Sequence, residues 1–148
     1  MSDKGKLTVE DGKRALRDHV IEKGIELNEK YGPIIEYNSL EQILKDQDFA
    51  RFPTEMVFDS SRLDSGMFGI CVPNENNEEG GYTIYIHEFF KDKLGYVPML
   101  VLYHMVSVNY GEFATFEEAE FFGASALGIE REEYYQTLCD LADQIPQA

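Results

Sequence analysis

A chain of 148 residues with 43% hydrophobic and 13% aromatic content is expected to form a single domain over residues 1–148, with disorder confined to about residues 1–6. The formal net charge of −15 is concentrated at the end: residues 101–148 hold nine acids against one base, Arg131. That field argues against nucleic acid and anionic membranes as partners and favours basic proteins or cations.

Residues 1–20 lack the apolar segment of a signal peptide, and no apolar run reaches membrane-spanning length. Cys71 and Cys139 lie in apolar surroundings without CxxC or Cys/His spacing, so they read as buried free thiols of a cytoplasmic protein. Thr8-Val-Glu-Asp11 forms a capping box, and Leu16, Val20, Leu27 and Tyr31 recur at helical spacing, widened by Ile21 and Ile25. One amphipathic helix is predicted over about residues 9–30, ended by Gly32-Pro33. Ser39-Leu-Glu-Gln42 predicts a second capping box and a short helix through Leu44 towards Phe49, broken at Phe52-Pro53.

The middle of the chain carries three short β-branched and aromatic runs, Glu55–Asp59, Met67–Pro73 and Tyr82–His87. The last two are predicted to form a hairpin around the acidic loop Asn74–Gly81, a solvated turn without the ligand spacing of a calcium loop. Beyond His87 the chain turns helical again. Residues 98–111 are apolar nearly all round, which marks a buried helix. Thr115-Phe-Glu-Glu118 starts a further helix ending near Gly128, and Tyr134, Leu138, Leu141 and Ile145 stripe a last one beginning at Glu130. The fold class expected is α+β: N-terminal helices, a small antiparallel sheet, then C-terminal helices.

The buried helix contains one histidine. From it the chain reads His104-Met105-Val106-Ser107-Val108-Asn109-Tyr110-Gly111-Glu112-Phe113-Ala114. A helical peptidase zinc site needs two histidines four residues apart and a glutamate beside the first to take a proton from the metal-bound water. This segment resembles the HExxHxxGxxD/H helix of small zincin-like metallopeptidases, with His104 at the first histidine and Gly111 at the glycine. Met105 stands at the glutamate position, Val108 at the second histidine and Ala114 at the third ligand. The strand TIYIH precedes the helix as the edge strand does in that family. The following EEAEFFGASALG is similar to the EAxxFAxxLL helix of zincin-like phage-repressor peptidases. The resemblance covers about residues 82–128 and implies a zincin-like fold that has lost its base and two of its ligands, hence its activity.

Two readings of His104 follow. In one it is a core histidine, hydrogen-bonded to a backbone carbonyl or a tyrosine hydroxyl, and no cofactor is held. In the other it joins Glu112, Glu118 and His87 around zinc or another divalent metal, and the protein is a peptidase-like, metal-dependent hydrolase. No GxSxG elbow and no glycine-rich phosphate loop occurs.

The acids of the C-terminal third fall in the first turns of two helices, where the helix dipole favours them. Their usual lysine companions four residues on are missing. Glu117, Glu118, Glu132 and Glu133 are therefore the candidate face for a basic protein partner, the alternative being charge that serves solubility alone. The function expected is a non-catalytic, zincin-like binding domain.

Overall fold

The structure is a computed structural model that describes residues 8–75 and 80–146. The expected disorder of residues 1–6 and the centre of the Asn74–Gly81 loop lie outside the described residues. The elements in chain order are α1 (Val9–Tyr31), α2 (Leu40–Lys45), β1 (Thr54–Phe58), β2 (Gly69–Pro73), β3 (Tyr82–Ile86), α3 (Val97–Tyr110), α4 (Phe116–Leu127) and α5 (Arg131–Gln144). This is the α+β class that the alternation of patterns implied. Among the described residues no helix is long and apolar enough to cross a membrane.

The capping box of α1 forms as predicted: Asp11 N donates to Thr8 Oγ1 at 3.0 Å, and Thr8 N donates to Asp11 Oδ2 at 3.2 Å. Val20 and Leu27 are fully buried, Leu16, Ile21 and Tyr31 are half-buried, and Ile25 is exposed, so the apolar stripe is narrower than expected. The inner face of α1 packs on α4. At Gly24 a Cβ would stand 2.6 Å from Ser125 Cβ and 2.7 Å from the Phe122 carbonyl oxygen, so the two backbones approach through the missing side chain. Asn28 Nδ2 locks the pair by donating to the Ala126 carbonyl at 2.8 Å.

The second capping box does not form. Ser39 already has right-handed helical backbone because a 3-10 turn, Tyr37–Ser39, runs directly into α2, and a cap needs an extended residue there. The helix stops at Lys45, where the Asp46 carbonyl accepts from Phe49 N and Ala50 N and turns the chain towards β1.

The predicted hairpin is present, with β2 antiparallel to β3 and Cys71 opposite Ile84. The sheet as a whole is mixed, which corrects the antiparallel expectation. The strand order is β1-β3-β2, and β1 runs parallel to β3. The connection from β1 to β2 reverses direction and leaves a gap one strand wide. The returning strand β3 fills that gap and so runs with β1. Pattern in the sequence shows the hairpin but not which of its edges receives a third strand.

Helix α3 packs on one face of the sheet and on α4, with Ile84, Ile86, Leu100, Val101 and Leu102 fully buried. Of its residues only Ser107 is exposed, as a helix apolar on every side requires. Gly111, at φ +57°, ends it. Gly128, at φ +71°, ends α4 in the left-handed conformation. The stripe of α5 is buried as predicted. The Tyr134 hydroxyl donates to the Met99 carbonyl at 2.6 Å, and the Tyr134 ring occupies the space that a side chain at Gly123 would take. Both cysteines are free but only partly buried, and burial pushes the Cys71 thiol up to about 12.

Candidate functional site

The histidine of α3 is enclosed by apolar surroundings. Phe68 and Tyr103 meet the His104 ring edge-on, at centroid distances of 5.5 and 5.4 Å. A Cβ on Gly69, at the start of β2, would lie 2.8 Å from Nε2, so the missing side chain leaves the room the imidazole needs. The expected hydrogen bond to a carbonyl or a tyrosine hydroxyl is not made by Nε2, which is buried without a partner among the described residues. The reason is geometric: Nε2 faces a glycine and the flanking aromatic rings. Burial lowers the His104 pKa to about 4, so the ring is neutral at physiological pH.

Of the other candidate metal ligands, His87 and Glu118 make local hydrogen bonds and Glu112 is exposed. His87 Nδ1 accepts from Phe89 N at 3.0 Å and caps a 3-10 turn. Glu112 is exposed in the turn Gly111–Phe113. Glu118 closes the α4 capping box, accepting from Thr115 N at 2.9 Å and from Thr115 Oγ1 at 3.1 Å. Among the described residues, no group of three or more His, Cys, Asp and Glu side chains is assembled where it could hold a metal ion. The four residues of the hydrolase reading are therefore not brought together.

The acidic end is partly as expected. Glu117, Glu132 and Glu133 are exposed. Glu118 is only 6% exposed, because its reach back to Thr115 turns it into the fold; it is corrected from surface contact to structural cap.

Glu120 reads in the sequence as one more acid near a helix start and is not a candidate there. It too is only 6% exposed. Among the described residues its ion-pair partner is Arg131, whose Nε stands 4.0 Å from Oε1. The Arg131 guanidinium lies over the Phe121 ring, 4.7 Å from its centroid. Burial raises the Glu120 pKa most; Arg131 opposes that rise, while the charges of Glu117 and Glu132 add to it. The signal was the run of small residues around it, Ala119, Gly123, Ala124 and Ala126. A helix so lined is packed on several sides, against α1, α3 and α5, and a carboxylate within it is drawn inwards.

Beside this end lies a cleft of about 470 Å³ between the first turns of α1 and α4, where Lys13, Arg14 and Arg17 face Glu117 and Phe116. Phe113 and Phe116, 88% and 61% exposed, flank the start of α4. Two further clefts, of about 470 and 500 Å³, run between α2 and β1. Chemically the acidic end can attract and hold a cation through carboxylate and aromatic groups. It contains no nucleophile paired with a base among the described residues. No protein-family model, no curated protein and no solved structure matches this chain.

Proposed function

We propose that this protein is a non-catalytic interaction domain that engages a basic protein partner through the acidic end built by the starts of α4 and α5. The observation that supports the reading is the exposure of Glu117, Glu132 and Glu133 at the starts of α4 and α5, with the charges of Glu117 and Glu132 acting on Glu120 and Arg131 opposing them. Self-repulsion of this kind is relieved when a cationic surface docks, which speeds encounter and makes binding sensitive to salt. The same field disfavours nucleic acid.

The zincin-like resemblance belongs to this proposal as its frame. Strand β3, the buried α3 ending at Gly111 and the capped α4 stand in the order that the resemblance over residues 82–128 implies. In that frame His104 serves packing. Two free thiols suit a reducing compartment, so the domain is proposed to act in the cytoplasm.

The test is capture from a native lysate at low salt with wild-type bait and with a bait carrying Glu117→Gln, Glu132→Gln and Glu133→Gln. A basic protein held by the first, released at high salt and lost by the second is the expected result. Retention unchanged in the triple variant defeats the acidic-face reading. Stoichiometric zinc or manganese in protein purified without added metal, and lost in His104→Ala, would restore the hydrolase.

A further inference from the structure

Strand β3 is paired on both sides, so free backbone groups of the sheet lie along the outer edges of β1 and β2. On β1 the direction of each residue follows from its pairing. The Pro53 carbonyl accepts from Tyr82 N at 2.8 Å, and Asp59 N donates to the Ile86 carbonyl at 3.1 Å. Pro53, Glu55, Val57 and Asp59 therefore turn their backbone groups to β3, while Thr54, Met56 and Phe58 turn theirs outward. Among the described residues none of these outward groups makes a hydrogen bond. The clefts of about 470 and 500 Å³ both open along this edge, between Thr54 and Glu55 on one side and Leu44 and Lys45 on the other. Edges are ordinarily blunted by proline, by charge or by a covering helix. Here Pro53 lies before the outward groups begin, and α2 stands across a cleft from the edge instead of on it.

We infer that β1 is a strand-addition edge, which takes an extended, alternately apolar and basic segment of a partner protein as a fourth strand. The alternation follows from the two faces of β1. A side chain opposite Met56 on an added strand faces the side of Met56, Ile84 and Cys71, where buried Leu40 and Leu44 line the cleft, so it is apolar. A side chain opposite Glu55 faces the other side, where Glu55 and Val57 are exposed. Glu55 makes no ion pair among the described residues. Of the cations lining the clefts, Lys45 is held by Glu41 at 2.9 Å, and Arg51 precedes the strand and donates to the Asn109 carbonyl at 3.1 Å. The unanswered charge beside the outward groups is thus negative, and a lysine or arginine opposite it completes a cross-strand pair. Main-chain hydrogen bonds supply the affinity of such an addition, and the alternate side chains supply the choice. A second copy of this chain is the poorer occupant, because a formal charge of −15 on each opposes self-association. The edge uses none of the residues of the acidic end, so strand addition stands or falls apart from that reading.

The test uses the full chain and the peptide acetyl-Lys-Val-Lys-Val-Lys amide, followed by NMR amide exchange at physiological salt. Peptide at about ten times its Kd is expected to slow exchange at Thr54 and Met56 about tenfold. Val57, whose N–H is already paired with β3, should be unchanged. N-methylation of both valines should abolish the protection if the peptide runs antiparallel to β1, and N-methylation of the central lysine if it runs parallel. One of the two modified peptides therefore fails and the other still protects. Glu55→Lys should weaken the basic peptide about twofold to fivefold and favour acetyl-Glu-Val-Glu-Val-Glu amide over it. Strand addition is overturned if no protection appears at Met56, if the two N-methylated peptides behave alike, or if Glu55→Lys leaves the preference unchanged. Protection at Met56 that is present without peptide and rises with protein concentration would give the edge to a second copy, and overturns it too. Because the N-methyl groups sit on the peptide, the decisive comparison is made on the unaltered protein. The acidic-end reading is untouched by these results and is decided by its own triple glutamine variant.

Discussion

His104 on α3 and Glu120 on α4 are both titratable, both more than nine-tenths enclosed, and differ in almost everything else. Around His104 stand the aromatic rings of Phe68 and Tyr103 and a glycine. The cause of its lowered pKa is burial, with no charged neighbour contributing. Around Glu120 stand a loosely held arginine, an aromatic ring and two further carboxylates. One group is sealed by apolar packing and kept neutral; the other lies at the edge of the fold, within reach of charge. Burial raises the energy of the charged form in both, and only at Glu120 can a cation from outside relieve it. The contrast separates a group held by apolar packing from one that stands among charges.

The sealed region should respond most to loss of volume. His104→Ala leaves a hole between α3 and the start of β2 and is expected to destabilise the fold by about 2–4 kcal/mol, read from urea unfolding. His104→Leu, which restores apolar volume and removes the orphaned nitrogen, should lie within about 1.5 kcal/mol of wild type. A leucine variant as unstable as the alanine one would mean that the imidazole is held by something other than packing.

Acid comes next in size. The folded pKa of His104 is about 4 against an ordinary value of 6.5, so above 6.5 both folded and unfolded forms are neutral and its full contribution is present. As pH falls from 6.5 to 4 the unfolded chain takes up a proton that the folded one refuses, and stability falls by about 3 kcal/mol. Comparing wild type with His104→Leu across that window isolates the loss. Parallel pH curves for the two proteins would show that the ring is not sealed.

Gly69→Ala tests the same packing from the strand side. Its Cβ would lie 2.8 Å from both His104 Nε2 and the Tyr85 carbonyl oxygen, so a loss of about 1–3 kcal/mol is expected. The loss should shrink in a His104→Ala background if the imidazole is the obstacle, a coupling that a double-mutant cycle measures directly.

The smallest effect belongs to the open region and has the opposite sign. Because its folded pKa is raised, the Glu120 carboxyl makes the fold relatively more stable as pH falls through that value towards 4.5, and less stable above it. Glu120→Gln should therefore stabilise the fold slightly at neutral pH, by no more than about 1 kcal/mol, read as a small rise in the thermal midpoint. A clear destabilisation would mean that the Arg131 pair holds α4 to α5, and the contrast with His104 would lose its meaning.

Local signals were legible where one element satisfies itself. The capping boxes at Thr8 and Thr115, the glycine at 128 and the stripe of α5 depend on residues within a few positions of one another. Ser39 shows the limit. Its capping sequence is intact, but the turn before it imposes helical backbone and the cap cannot close. Glu118 and Glu120 show the same limit at the candidate site, since acids near a helix start read as surface charge until the packing of α4 is known.

Taken by itself, the sequence determined which segments are helix and which are strand, that α3 is buried, and that the C-terminal third is acidic with one base. These follow from periodicity, caps and composition, which act over a few residues. Tertiary structure alone decided that β1 joins β3 in parallel, that His104 Nε2 faces a glycine instead of a hydrogen-bond acceptor, and that Glu120 is enclosed beside Arg131 while Glu117 stays outside. Each depends on what another element brings into contact, and no spacing along one helix or strand carries that information.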